Sequence, residues 1–321
     1  MTQGDGRLHW LDAAKGLGII LVVIAHVWTS GQLRDTIYAF HMPLFFVLAG
    51  YVARPRPMGA FLRAQWRSLA TPYISFLIVL MALDPVIEHI RGFHPRFREW
   101  DAAIKAMLLG GTELSGPFTI FWFVPCLAFA RIAQNGLLLM WPNPRDWRWP
   151  VAMAVTLGVG IWIGRASDFS PLGLLTVPVA LVLLWLGALW RTVDNDRRLV
   201  LGAVIGAVLV LLTGPLVPVN MKAADYGMPV WSLLVAVILS LGLCGLARVV
   251  PWRPFQTLGR MSLTIMFLHV AVIHYLRPYF GKEVLVALAL VLPAFAHVLL
   301  TRAKWGRRYF LGQRPAARES F

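Results

Sequence analysis

The chain alternates long apolar runs with short polar breaks. Runs at residues 12–26, 37–51, 73–90, 118–140, 151–164, 172–190, 199–219, 230–247, 258–277 and 284–301 predict ten helices, most of them near the roughly 20 residues that cross a hydrocarbon core. Gly- and Pro-rich breaks such as WPNPRDWRWP separate them, with tryptophans of the kind that sit at a membrane interface. Two shorter patterns stand apart. Residues 101–109 place Ile104, Met107 and Leu108 on one side and Asp101 and Lys105 on another, predicting a short interfacial helix. Residues 29–35 read as a break that reverses the chain between the first two runs.

Those first two runs also hold the polar residues least at home in a bilayer. On a helix, Asp12, Lys15, Ile19 and His26 share a sector of roughly 60°, a stripe about 21 Å long from Asp12 to His26. Lys15 can neutralise Asp12 one turn away, whereas His26 has no charged partner in its own helix. Reversal of the chain brings His41 to a similar depth, so a two-histidine site is geometrically possible. Ionisable groups at membrane depth are costly and usually mark a functional path. The plain alternative is that each histidine only bonds across helices.

Composition fixes the class. With 58% hydrophobic and 14% charged residues among 321, and a mean hydropathy of +0.67, the chain cannot bury its apolar residues in one soluble core. It reads as an all-α polytopic membrane protein, one domain over residues 1–321, with a basic tail from about residue 302. The net charge of +15 lies in turns, where it sets topology and meets headgroups or phosphates rather than nucleic acid. Placing both termini in the cytoplasm puts about 19 of the Lys and Arg residues on that side and about nine outside. The first apolar run is read as a membrane helix and not a cleaved signal. Cys126 and Cys244, both within apolar runs, predict neither a disulfide framework nor a metal site. Asp84, Glu88, His94 and Glu113 read as solvated turn or helix-end residues.

Four motifs in order carry a resemblance. DAAKGLGIILVVIAH, preceded by Arg7, and FHMPLFFVLAGY resemble the opening signatures of the membrane acyltransferase family 3, in the branch of fucose O-acetylase-like and exopolysaccharide O-acetyltransferases. FWFVPCL at residues 121–127 is similar to that family's Trp-Phe segment, and LGRMSLTIMFLH at 258–269 to its late Ser-Leu…His helix. Ala49 stands where the family usually has Ser, and Lys15 where a larger branch has Arg. The resemblance implies transfer of an acetyl group to a carbohydrate hydroxyl. The residues alone imply a base and an anion site.

Together they suggest acetyl-CoA as acyl-donor substrate. Its phosphates would meet Arg7, Lys15, Arg54, Arg56, Arg63 and Arg67 at the cytoplasmic mouth, with Asp12 in the same donor site as the partner of Lys15, and its thioester would reach His26 as general base. His41 would orient His26 or stabilise the oxyanion, with an acyl-histidine intermediate as the other route. Trp122, Ser262 and His269 are possible support. The expected acceptor is a surface glycan or its lipid-linked precursor, at the bacterial inner membrane, with membrane lipids and polysaccharide-assembly proteins as partners. The competing function is a carrier or flippase for a lipid-linked sugar or anionic solute. It gains no support from internal repeats or matched broken helices, since Pro125, Pro178, Pro215 and Pro293 fall at unmatched positions.

Overall fold

The computed structural model describes residues 8–194, 196–249 and 253–313. Thirteen α-helices occur in the described residues: α1 (His9–Val27), α2 (Gln32–Tyr38), α3 (His41–Tyr51), α4 (Met58–Gln65), α5 (Thr71–Arg91), α6 (Trp100–Leu109), α7 (Phe123–Met140), α8 (Arg148–Ala166), α9 (Val177–Trp190), α10 (Arg197–Thr213), α11 (Pro229–Val249), α12 (Arg253–Leu276) and α13 (Lys282–Arg302). No strand occurs among the described residues beyond an isolated bridge between Asn220 and Asp225. Eight of the helical stretches are long and apolar enough to cross a membrane. With α8 and α13 only 17% buried in their apolar windows, and with side chains such as Val155, Trp162, Val291 and Phe295 exposed, these two helices present the lipid-facing rim.

All ten expected runs are at least partly helical, but eight and not ten are long enough to be candidate spans, because two fall short. α3 has 11 residues and α10 has 17, the latter stopped by Gly214 and Pro215. The basic stretch after Tyr51, read as a loop, becomes helical from Met58. A π-helical turn, Trp66–Ala70, joins α4 to α5 in one 34-residue helix, and Phe61, Gln65 and Leu69 are its buried face. The short interfacial helix is present as α6, whereas the expected break at 29–35 is mostly taken up by α2. Past α13, the start of the basic tail folds back. Its π-helical turn Gly306–Phe310 sets the Phe310 ring 4.9 Å from Phe76, which stacks at 5.0 Å on Phe267 of α12.

Two helix pairs approach so closely that only glycine fits. Along α1 and α12, a methyl group on Gly16 would overlap the carbonyl oxygen of Phe255, and one on Gly259 would overlap that of Asp12. α3 and α9 meet the same way, Gly50 against the carbonyl of Leu184 and Gly187 against that of Val47. We call the end of the bundle where α1 begins the near end. There Tyr51 donates to Asp194 Oδ2 at 2.6 Å and Arg248 pairs with the same carboxylate while lying 4.3 Å over the Trp10 ring. This fastens α3, α9, α11 and α1.

At the α1–α12 crossing, Gly259→Ala is expected to cost about 1–3 kcal/mol or more, because backbone must move to admit the methyl group. Thermal unfolding of the purified protein in detergent measures this as a midpoint several degrees lower. Gly202→Ala, where nothing lies within 4 Å, serves as the control that leaves the midpoint unchanged or higher.

Candidate active site

From the Gly16–Gly259 contact, α1 and α12 run in the same direction, and each reaches a histidine ten residues on, about 15 Å further along the axis. His26 and His269 therefore face each other at the far end, ring centroids 5.0 Å apart and nearly perpendicular. His41, at the start of α3, completes the group at 6.3 Å from His26. The expected pairing of His26 and His41 is present, and His269, expected only as possible support, is the nearer neighbour. Tyr38 lies 4.7 Å from His41 and 6.2 Å from His26.

Each histidine spends one ring nitrogen on a backbone carbonyl three or four residues before it, His26 and His269 within their own helices and His41 on α2. Nδ1 of His26 lies 2.8 Å from the Val22 carbonyl, Nδ1 of His41 lies 3.0 Å from that of Ile37, and Nδ1 of His269 lies 2.8 Å from that of Ile265. A carbonyl oxygen only accepts, so each Nδ1 carries the proton and donates it. Nε2 is left with its lone pair on every ring. For His269 that atom is buried without a partner in the structure.

Two cavities approach this group. The far cavity, about 240 Å³, is lined by His26 and His41 together with Tyr38, Arg34, Trp122 and Lys222. Trp122 thus stands where a support residue was expected. Lys222, in the connection between α10 and α11, donates to the Leu114 carbonyl at 2.5 Å and Thr119 Oγ1 at 2.6 Å. Burial, with Arg96 as a like-charged neighbour, brings its pKa down to about 8. Burial pushes the Tyr38 hydroxyl above its usual value.

The near cavity, about 330 Å³, is lined by Asp12 and Lys15, which pair at 3.7 Å, and by Ser262, Arg131 and Arg260. Phe45, Phe123 and Met266 also line it, towards the far cavity. Arg131 of α7 further borders a small adjoining space of about 30 Å³ that holds Arg54 and Arg56. Asn135 orders that segment by accepting from the Arg56 N–H at 3.0 Å and donating to the Arg56 carbonyl at 2.9 Å.

Not every expected donor ligand gathers here. Arg63 borders instead a wide apolar groove of about 630 Å³ on the side of the bundle, and the Arg67 backbone packs against Gly312, two residues past the π-helical turn Gly306–Phe310. Arg7 lies outside the described residues. Arg131 and Arg260 were missed as site residues, although Arg131, a charge within an apolar run, gave a signal. Arg34 and Lys222 sit in polar breaks and Tyr38 near the start of an apolar run, and none of them gave a signal.

Asp84 and Glu88 are not solvated. Both are 2% exposed, and they are satisfied by Tyr275 Oη and the Arg96 N–H for Asp84, and by Arg91 and His274 for Glu88. α5 is wound so that both carboxylates, one turn apart, face α12, which a polar reading of the sequence cannot reveal.

Comparison with known proteins agrees with this architecture. A family model described as an acyltransferase domain matches residues 8–302. Nodulation protein NolL of Sinorhizobium fredii (strain NBRC 101917 / NGR234) is 30% identical over 125 residues, 35% of this chain and 32% of NolL, so the match spans about a third of that relative's length. No solved structure matches significantly. The family match runs from the start of α1, through both cavities and all three histidines, to the end of α13: the chain is a multi-pass membrane protein and belongs to the acyltransferase 3 family.

Proposed function

We propose that the protein is an O-acyltransferase of the bacterial inner membrane that moves an acetyl group from acetyl-CoA to a hydroxyl of a surface glycan or its lipid-linked precursor, with His26 as general base. The observation that carries this reading is the tautomer of His26. Its Nδ1–H is engaged by Val22, its Nε2 lone pair is free, and the ring borders one cavity while a second cavity with cationic walls opens from the other end. An imidazole with an ordinary pKa near 6.5 is mostly unprotonated at neutral pH and can accept a proton.

In this reading the near end is cytoplasmic. Lys15, Arg131 and Arg260 hold the phosphates of the donor, with Arg54 and Arg56 beside them, because guanidinium and ammonium groups match phosphate oxygens. The pantetheine arm extends towards His26 past Phe45 and Phe123, whose rings are 6.2 Å apart and part to admit it. An acceptor hydroxyl enters from the far cavity. His26 Nε2 takes its proton as the oxygen attacks the thioester carbonyl carbon. The tetrahedral oxyanion collapses, the C–S bond breaks, and the departing thiolate takes the proton from the His26 imidazolium. An acyl group carried on Nε2 and then passed to the hydroxyl uses the same atoms in two steps.

The tautomers bear on the other histidines. With Nδ1–H donated to Ile37, His41 offers a lone pair and not a donor on Nε2, so as a neutral ring it does not hold the oxyanion. It and His269 position His26, and His41, which lines the far cavity, receives a hydrogen bond from the acceptor.

Three measurements test the reading. Nitrogen-15 NMR of histidine-labelled protein in lipid at neutral pH is expected to show Nδ1 protonated and Nε2 unprotonated on His26, and the reverse tautomer contradicts the base. CoA release from acetyl-CoA in the presence of a lipid-linked sugar extract is expected to fall at least about 100-fold in His26→Ala. Release that survives the substitution sinks the assignment, and acceptor flux without thioester consumption supports a carrier. Arg131→Met is expected to raise KM for acetyl-CoA about tenfold with little change in kcat, since it removes a contact made equally in ground and transition states.

A further inference from the structure

The charge of the far cavity points to the chemistry of what enters it. Two cations reach it, Arg34 from α2 and Lys222 from the α10–α11 connection, and among the described lining residues there is no Asp or Glu. Both hydrogen bonds recorded for the Lys222 ammonium go to neutral oxygens, the Leu114 carbonyl and the Thr119 hydroxyl. A part-buried ammonium, drawn from water and with Arg96 outside the cavity as its like-charged neighbour, is held at a cost that a counter-charge in the cavity would relieve. That cost shows as a pKa drawn down to about 8, which still leaves the group mostly protonated at neutral pH.

Arg34 does have a carboxylate partner, Asp35 at 2.8 Å, but the Asp35 side chain is 42% exposed and its charge is screened by water. The guanidinium lies 4.0 Å over the Tyr38 ring, which in turn is 6.2 Å from the His26 ring. Cation, aromatic face and base thus succeed one another along one wall. Trp122 and Asn220 add an apolar face and an amide. At about 240 Å³ the cavity is of a size to hold one polar ring in contact with these groups.

We propose that the far cavity binds a sugar whose reactive hydroxyl lies close to a negatively charged group, a carboxylate or a phosphate ester, which Lys222 and Arg34 hold while the hydroxyl faces His26. The hydroxyl's role rests on the acyl-transfer reading above; the preference for an anion does not. The negative group would dock first by long-range attraction and fix which hydroxyl meets Nε2.

The test is equilibrium binding to the full-length protein in nanodiscs, without any thioester, of methyl glucuronide, glucose 1-phosphate and methyl glucoside. The two anionic probes separate a carboxylate from a phosphate source. Wild-type protein is expected to bind at least one anionic probe about tenfold more tightly than the neutral one. Lys222→Gln and Arg34→Gln are each expected to remove most of that advantage. Lys222→Arg, which restores the charge, is expected to recover the preference and so excludes simple loss of the Leu114 and Thr119 anchor. Equal binding of all three probes, no binding of any, or a preference that survives both Gln substitutions overturns the proposal. If acyl transfer fails its own test while the anion preference stands, the cavity is an anion site of a different protein chemistry.

Discussion

Backbone contact between α1 and α12 is the constraint on which the site depends. Gly16 and Gly259 let the two helices meet with no side chain between them, each glycine against a carbonyl of the other helix. In a bilayer such contact takes the place of the hydrophobic driving force, because lipid is as apolar as leucine. Since the helices run in the same direction and each histidine follows its glycine by ten residues, one crossing fixes both the separation and the facing of His26 and His269. The second glycine pair, Gly50 and Gly187, seats α3 on α9 and so holds His41 at the same level.

Polar groups inside the bundle differ in whether their local hydrogen bonds leave an atom unused. The three histidines donate Nδ1–H within their own helix or turn and keep Nε2. Asp84 and Glu88, by contrast, have both oxygens occupied and act as joints between α5, the following loop and α12. The same side-chain types therefore take opposite roles, decided by whether a hydrogen-bond partner is supplied on one side or on all. Cations divide in a similar way. Arg248 is tied to a carboxylate and structural, whereas Arg131 and Lys222 line cavities at opposite ends.

Much of this was legible from residue order. Apolar run length yields the all-α membrane fold, and the 100° stripe through Asp12, Lys15 and His26 yields the inward face of α1, because both depend on local periodicity. The approach of His269 was not legible, since it depends on which helix packs on α1, and glycines at 16 and 259 declare a close contact without naming the partner. The helical continuation from Met58 was masked by its arginines, which read as loop by charge although Phe61, Gln65 and Leu69 form a buried stripe. Arg63 and Arg67 were grouped with Arg54 and Arg56 by sequence proximity, and the helix then turned them away from the near cavity. Lys222 lies in a connection with no periodicity, where sequence carries no directional signal.

The central claim is that one path joins a cationic near cavity to the Nε2 of His26. The most direct test is a cryo-electron microscopy structure in nanodiscs with a non-reactive acetyl-CoA analogue in which a methylene replaces the thioester sulfur. The account predicts the phosphates against Lys15, Arg131 and Arg260 and the carbonyl carbon of the acetyl group within van der Waals contact of the His26–His269 pair. Density for the acyl end in the lateral groove beside Trp66, or anywhere else away from the histidines, would contradict it.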